Sequence, residues 1–251
     1  MDFSIKQYKE LLDKMRSRDY HFQTFNDFLL KPMDRSIILR HDVDLLPLNS
    51  LKFAKIQHEL GIKGTYYFRA VPESWDDKII AMISDLGHEV GYHYENLTTC
   101  DGNMDKAIVD FKKNLEKLRK IVPVTTICMH GSPKSKFDSK DLWRDHNYQD
   151  YEIIGEPYFD IDFNKVFYLT DTGRMWDGQK VSVRDKVKTS FKQSYHTTNQ
   201  IIEAFDSNQL SNQIMFNFHP QRWHSNSVLW TQELLLQNAK NIIKKYYFVI
   251  E

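Results

Sequence analysis

The sequence is poor in cysteine, with only Cys100 and Cys128 in 251 residues. They form no Cys-x-x-Cys pair, so nothing points to a structural zinc knuckle. Two lone thiols fit a reducing compartment better than a disulfide framework. An excess of one charge is also missing. Lys plus Arg number 34 and Asp plus Glu number 34, whereas a nucleic-acid-binding protein carries a basic surplus. No apolar run approaches the roughly 20 residues of a membrane span, so no membrane insertion is expected. The opening Met1-Asp2-Phe3-Ser4-Ile5-Lys6 lacks the basic-then-apolar layout of a signal peptide. Repeats, low-complexity stretches and linkers are absent too. These absences predict a cytoplasmic protein with one domain over residues 1–251, its first 35 residues forming a helical extension.

What is present is an alternation of strand and helix patterns. Ser4–Arg18 has apolar residues at helical spacing, and Phe22–Leu30 reads as a short second helix. Ile37–Asp44 opens with an aliphatic run, the mark of a strand buried in a parallel sheet. A helix from Pro47 stops at Gly61, Thr65–Phe68 is a strand, Asp76–Leu86 a helix, and His88–His93 a short strand. Met104–Val122 is a long helix ended by Pro123, and Thr125–Met129 is the next strand. Tyr151–Ile154, Tyr158–Ile161 and Val166–Leu169 read as strands by β-propensity. Thr197–Phe205 is a helix, Gln213–Phe218 a strand, Val228–Lys245 a helix and Tyr247–Ile250 a last strand. The alternation predicts an α/β fold, a distorted TIM-like (β/α) barrel of mostly parallel strands.

Polar clusters follow these strands four times: Asp42 with Asp44, His93 with Glu95, then His130, then His219. In one parallel sheet all four share the C-terminal side, where active sites of such folds lie. Asp and neutral His are the usual oxygen and nitrogen ligands of zinc and similar ions. In an extended segment Asp42 and Asp44 point the same way, so one can bind metal while the other takes a proton. Taken alone, an Asp-x-Asp pair is also what a turn or cap contains, and a buried His is also what a core contains. Gly91 lets the backbone approach a neighbour closely. His88 falls on the opposite side of a regular strand from His93 and is read as structural.

Asp-Val-Asp after an early apolar strand, Gly87-His88-Glu89-Val90-Gly91-Tyr92-His93 after a later one, and Phe216-Asn217-Phe218-His219-Pro220 near the end resemble the polysaccharide deacetylases, carbohydrate esterase family 4. The resemblance spans most of the chain, from Ile37 to Pro220. It implies that Asp42 is the general base, Asp44 and His93 are metal ligands, and His219 is the general acid. It further implies a divalent cofactor, zinc with cobalt or nickel as alternatives, and a saccharide substrate losing an N-acetyl group. The second motif departs from the family pattern, because its second His falls on Leu97. A replacement third ligand is expected at His130, with Glu95 as the alternative. The family's Arg-x-Pro motif is reduced at His130-Gly131-Ser132-Pro133 to its proline, and Arg40 is expected to keep Asp42 ionised instead. Arg40, Asp171, Arg174, Trp176 and Trp223 are expected on the substrate side, with Asp171 orienting His219 and Trp176 stacking on a sugar. Two other functions stay open: a metal-assisted hydrolase of another C–N bond, and a carbohydrate-binding relative that lost its metal along with the ligand at Leu97.

Overall fold

The computed structural model describes residues 1–132, 135–176, 182 and 184–247. Seven parallel strands carry the sheet. β1 (His21–Gln23), β2 (Ser36–Val43), β3 (Thr65–Phe68), β4 (Glu89–Tyr94) and β5 (Ile127–Met129) come from the first half of the chain, β6 (Val166–Thr170) and β7 (Gln213–Phe218) from the second. Their order is β5-β4-β3-β2-β7-β6. β1 and β3 share one flank of β2, β1 along Ser36–Ile38 and β3 along Arg40–Val43. Among the described residues β5 and β6 do not pair, so the sheet curls into an open half-barrel.

The helices between strands are cut by local chemistry. α1 (Ile5–Arg16) starts at Ser4, whose hydroxyl accepts from the Gln7 amide. α2 (Phe25–Leu30) starts at Thr24 and α4 (Asp77–Asp85) at Asp76 in the same way. α3 (Pro47–Glu59) and α4 run into Gly61 and Gly87, whose φ of +69° and +85° turn the chain out of the helix. α5 (Asn96–Thr99) and α6 (Met104–Arg119) follow β4, and α8 (Thr198–Asp206) is closed by a reciprocal cap between Thr197 and Gln200.

Period-two alternation sorts the strand side chains into two cores. Ile37, Leu39, Val43, Tyr66, Phe68, Val90, Tyr92, Ile214, Phe216 and Phe218 face outward onto the helices. Ile38, Tyr67, Cys128 and Met215 face into the curl, where Phe25, Phe28, Ile161, Phe163 and Val166 plug its lower end. Above this plug the same alternation brings Arg40, Asp42 and Asp44, then His93, His130, Asn217 and His219, to the C-terminal mouth. His41, from the same polar run, falls on the outer face: its Nδ1 donates to the Thr65 carbonyl at 3.0 Å and it is fully buried.

Three expectations from local pattern are corrected. Phe22 and Gln23, the start of the expected second helix, belong to strand β1, because Thr24 caps the helix only from Phe25 onward. Tyr148–Tyr151 is a short 3-10 turn, with residues 152–154 in coil, and α7 (Pro157–Asp160) replaces a strand at Tyr158–Ile161. Asn147 and Glu156 accept from the following backbone amides, and Pro157 is preset for a first helical turn. α9 (Ser227–Tyr247) extends through Tyr247; the rest of the expected last strand lies outside the described residues, as does Pro133. α9 turns Glu233, Gln237, Asn241 and Lys244 towards the protein and leaves Leu235, Leu236, Ile242 and Ile243 exposed. Polar contacts hold it: Asn241 donates to the Gly173 carbonyl at 2.8 Å, and Arg174 to the Trp230 carbonyl at 3.0 Å.

Candidate metal centre and active site

The mouth of the half-barrel holds a cavity of about 110 Å³ lined by Asp42, Asp44, His93, His130 and His219. The four strand ends singled out in the sequence therefore meet at one place. Asp44 lies one residue beyond β2, and its Oδ1 is 3.6 Å from His93 Nε2 and 3.5 Å from His130 Nε2. Its Oδ2 is 3.8 Å from His219 Nε2 and accepts from Gln221 at 3.1 Å.

The tautomers follow from what lies behind each ring. His93 Nδ1 is 2.9 Å from the Cys128 carbonyl, which can only accept, so the proton sits on Nδ1 and the Nε2 lone pair points at Asp44. His130 Nδ1 is 2.7 Å from Glu95 Oε2, and Arg69 grips that carboxylate through Nε and NH2 at 2.9 and 3.0 Å. His130 Nε2 is thereby turned to Asp44 as well. The result is a buried carboxylate oxygen without a hydrogen bond, facing two imidazole lone pairs. Electron-rich atoms converge like this only where a positive charge sits among them. Burial opposes ionisation of Asp44, but the contact with His93 and positive charge placed in the cluster of His130, His219 and His93 hold its carboxyl well below the usual range.

A second group of possible ligand atoms, from Asp42, His93 and Cys128, also lies within 4.8 Å. It fits a cation less well. Burial pushes the Cys128 thiol well up, away from the thiolate a metal needs, and its hydrogen goes to the Met129 carbonyl. Asp42 is already taken. Arg40 donates to its two oxygens through Nε at 2.9 Å and NH2 at 2.7 Å, and Asn217 adds a third bond at 3.0 Å. Burial raises the Asp42 carboxyl, yet Arg40, with His93 and His219, outweighs it and the net shift is downward. Asp42 Oδ2 lies 3.8 Å from His93 Nε2, beside the ligand cluster but not in it.

His219 follows β7 and is held from behind by Asp171, whose Oδ1 is 2.6 Å from Nδ1. Asp171 also accepts from the His219 backbone amide at 3.0 Å, from Trp223 Nε1 at 2.7 Å and from Arg222 NH1 at 3.1 Å. The ring therefore presents Nε2 to the cavity in a fixed orientation.

The residues expected on the substrate side lie elsewhere. Arg40, Asp171 and Trp223 are buried behind the site, where they position Asp42 and His219. Arg174 sits under α9 with its guanidinium 4.7 Å over the Trp230 ring. Trp176 is a core residue, 4% exposed, its Nε1 donating to Thr198 and its ring edge-on to Phe216 and Phe218. An amphipathic ring with a buried hydrogen-bond partner packs well in a core, which leaves none of these five on the cavity wall. Glu95, the alternative third ligand, stands behind His130 and orients it.

Sequence reasoning missed the opposite wall. Asp185 accepts hydroxyl bonds from Tyr158 at 3.0 Å, Thr170 at 2.7 Å and Thr172 at 2.6 Å, and a further one from Tyr168. Burial raises its carboxyl, but Arg40, His219 and these hydroxyls together drive it far down. Tyr158 bridges, its hydroxyl accepting from Arg40 at 3.1 Å. The only sequence signal was the pair Thr170, at the end of β6, and Thr172 just past it; Asp185 itself lies in a stretch without periodicity.

No family model matches the chain, and no curated protein matches it. Solved structures do. A CE4 esterase from Streptococcus mutans is 14% identical over 86% of this chain and 84% of its own, with a TM-score of 0.45. PdaA of Bacillus subtilis is 13% identical over 92% and 84%, with a TM-score of 0.42. A CE4 family pseudoenzyme from Bacillus anthracis is 15% identical over 85% of this chain, with a TM-score of 0.42. All three bear the family 4 carbohydrate esterase name. The chain spans 65% of the length of the pseudoenzyme.

Proposed function

We propose that this protein is a metal-dependent hydrolase of the polysaccharide deacetylase type, which removes an acyl group from the nitrogen of an amino sugar. One observation carries the reading: the unbonded Oδ1 of Asp44, buried and facing the Nε2 lone pairs of His93 and His130 at 3.6 and 3.5 Å. Asp44, His93 and His130 would hold a divalent ion, zinc being the best match to two imidazoles and a carboxylate. Bound there, the ion supplies Lewis acidity to an acyl oxygen and lowers the pKa of water towards about 7.

The rest is done by the chain's own groups. Asp42 accepts the proton of the attacking water, and the Arg40 clamp fits it for that by keeping the carboxylate ionised while aiming Oδ2 at the cavity. His219, on the other side of Asp44, delivers a proton from Nε2 to the departing amine, with Asp171 on Nδ1 fixing the ring. The products are a carboxylic acid, acetate when the acyl group is acetyl, and a free amino sugar. The cavity of about 110 Å³ is far below the roughly 300 Å³ of a pocket that engulfs a small ligand. It therefore takes the acyl group while the sugar lies across the mouth. Two unpaired cysteines fit work in the cytoplasm.

The test is acetate release from a panel of N-acetyl sugars and non-sugar amides, with zinc-loaded and chelator-treated protein. Release from sugars that stops on chelation and returns with zinc or cobalt is expected. Release only from non-sugar amides would move the activity to another C–N bond. Protein that takes up no stoichiometric metal and releases nothing would leave a binding protein.

A further inference from the structure

Lys244 of α9 lines the cavity and has no part in the proposed reaction. It reaches the same space as Asp44 and His219, beside Arg222 and Arg184. The two arginines are occupied. Arg222 NH1 donates to the Asp171 carbonyl at 2.8 Å and its carboxylate at 3.1 Å. Arg184 gives Nε and NH2 to the carbonyls of Ser132 and Ser135. Lys244 makes no hydrogen bond or ion pair with any described residue.

A half-buried ammonium without a partner is unfavourable unless a ligand completes it. The acids of the site do not need it. Asp42 and Asp185 are both stabilised by Arg40, and Asp171 by Arg222. A cation on Asp44 would make the mouth more positive still. Burial, reinforced by Arg222 and Lys240 against the pull of Asp44, lowers the Lys244 amine to about 8, consistent with an ammonium short of counter-charge. The helix is also turned so that Glu233, Gln237, Asn241 and Lys244 face the protein while Leu229, Leu235, Leu236, Ile242 and Ile243 are exposed. A helix placed only to cover a core would be turned the other way.

We propose that Lys244 receives an anionic group of the substrate, a phosphate or carboxylate carried by the sugar, so that the protein acts on charged rather than neutral acylated amino sugars. This rests on the deacetylase reading for the identity of the sugar, though not for the existence of the anion site. A compact, flexible ammonium accepts oxyanions of either geometry, so the source of the charge has to be read by experiment.

The test is calorimetric binding of N-acetylglucosamine, N-acetylglucosamine 1-phosphate and N-acetylglucosaminuronate to the full chain, in the wild type and in Lys244→Met and Lys244→Arg. At least one charged sugar is expected to bind about tenfold or more tightly than the neutral one, the size of one charge-assisted contact. Which of the two it is identifies phosphate or carboxylate. The advantage should vanish in Lys244→Met and largely survive in Lys244→Arg, with thermal melts showing both variants folded. Equal affinity for neutral and charged sugars, an advantage that survives Lys244→Met, or no binding of any of the three would overturn the proposal. Acetate release from the same sugars separates the two readings. Lys244-dependent binding without release removes the deacetylase and keeps the anion site. Equal release from charged and neutral sugars, with no effect of Lys244→Met on either, does the reverse.

Discussion

Asp42 and Asp44 lie two residues apart on one face of the same strand end, yet their surroundings make them different tools. Asp42 is saturated by three hydrogen bonds from Arg40 and Asn217. Asp44 has one oxygen on Gln221 and the other on nothing. A saturated carboxylate suits proton transfer, and an unsaturated one among imidazoles suits a cation. Asp42→Asn is therefore expected to keep metal affinity while cutting kcat by about 10²–10⁴-fold, the usual worth of a general base. Metal titration and turnover on the same preparation check it, and undiminished turnover would remove Asp42 from the role. Glu95→Gln, which leaves the three proposed ligands in place but weakens the carboxylate behind His130, is expected to loosen zinc about 10–100-fold in a chelator competition. Unchanged affinity would show that His130 is no ligand. At this scale the sequence was informative where a residue ended a strand and silent elsewhere. Asp42, Asp44, His93, His130 and His219 follow apolar runs. Asp185 and Lys244 reach the cavity from a loop and a distant helix, with no local pattern to announce them. Trp176 and Trp223 carried the opposite error, because an aromatic ring looks the same in a sequence whether it stacks on a ligand or fills a core.

Among the elements, β4 shows how closely the strands must approach for the imidazoles to meet Asp44. A Cβ at Gly91 would lie 2.3 Å from the Tyr67 ring and 2.8 Å from the Thr126 carbonyl. One of those contacts is backbone and cannot yield cheaply. Gly91→Ala is expected to destabilise the fold by about 1–3 kcal/mol and to displace His93, lowering metal affinity as well. Chemical denaturation with and without zinc reads both effects; wild-type stability would refute the close approach. The elements legible beforehand were strands β2 to β7 and the helices with long periodic patterns, α1, α3, α4, α6, α8 and α9. The segment between β5 and β6 misled, because its Tyr- and Ile-rich runs have β-propensity while Asn147, Glu156 and Pro157 impose turns. Propensity there is decided by tertiary packing, and caps on short turns weigh more than side-chain type.

Across the whole molecule, the parallel sheet brings every strand end to one side, while the helices around it are locked by buried polar contacts that are themselves sensitive to protons. His88 accepts from the Gly64 amide at 3.1 Å and donates to the Ala54 carbonyl at 2.9 Å, joining α3 to the loop before β3. That arrangement requires the neutral ring, and burial lowers its pKa from 6.5 to about 4. The unfolded chain binds this proton more readily than the native one. The stability that depends on a neutral His88 is therefore complete above pH 6.5 and is lost as pH falls towards 4, amounting to about 3 kcal/mol at the lower end. Denaturation curves of wild type and His88→Asn between pH 7 and 4 should converge by about that amount; parallel curves would contradict it. The parallel alternation of strands was readable in advance. That β5 and β6 do not pair among the described residues was not, since closure depends on strand tilt and stagger, which leave no mark on residue order.

The most direct measurement is anomalous diffraction from zinc-soaked crystals, recorded at the zinc edge. One peak per chain is expected between Asp44 Oδ1, His93 Nε2 and His130 Nε2, about 2.0–2.2 Å from each. A peak on other residues, or none at these three while zinc is in excess, would contradict the metal centre on which the proposed chemistry depends.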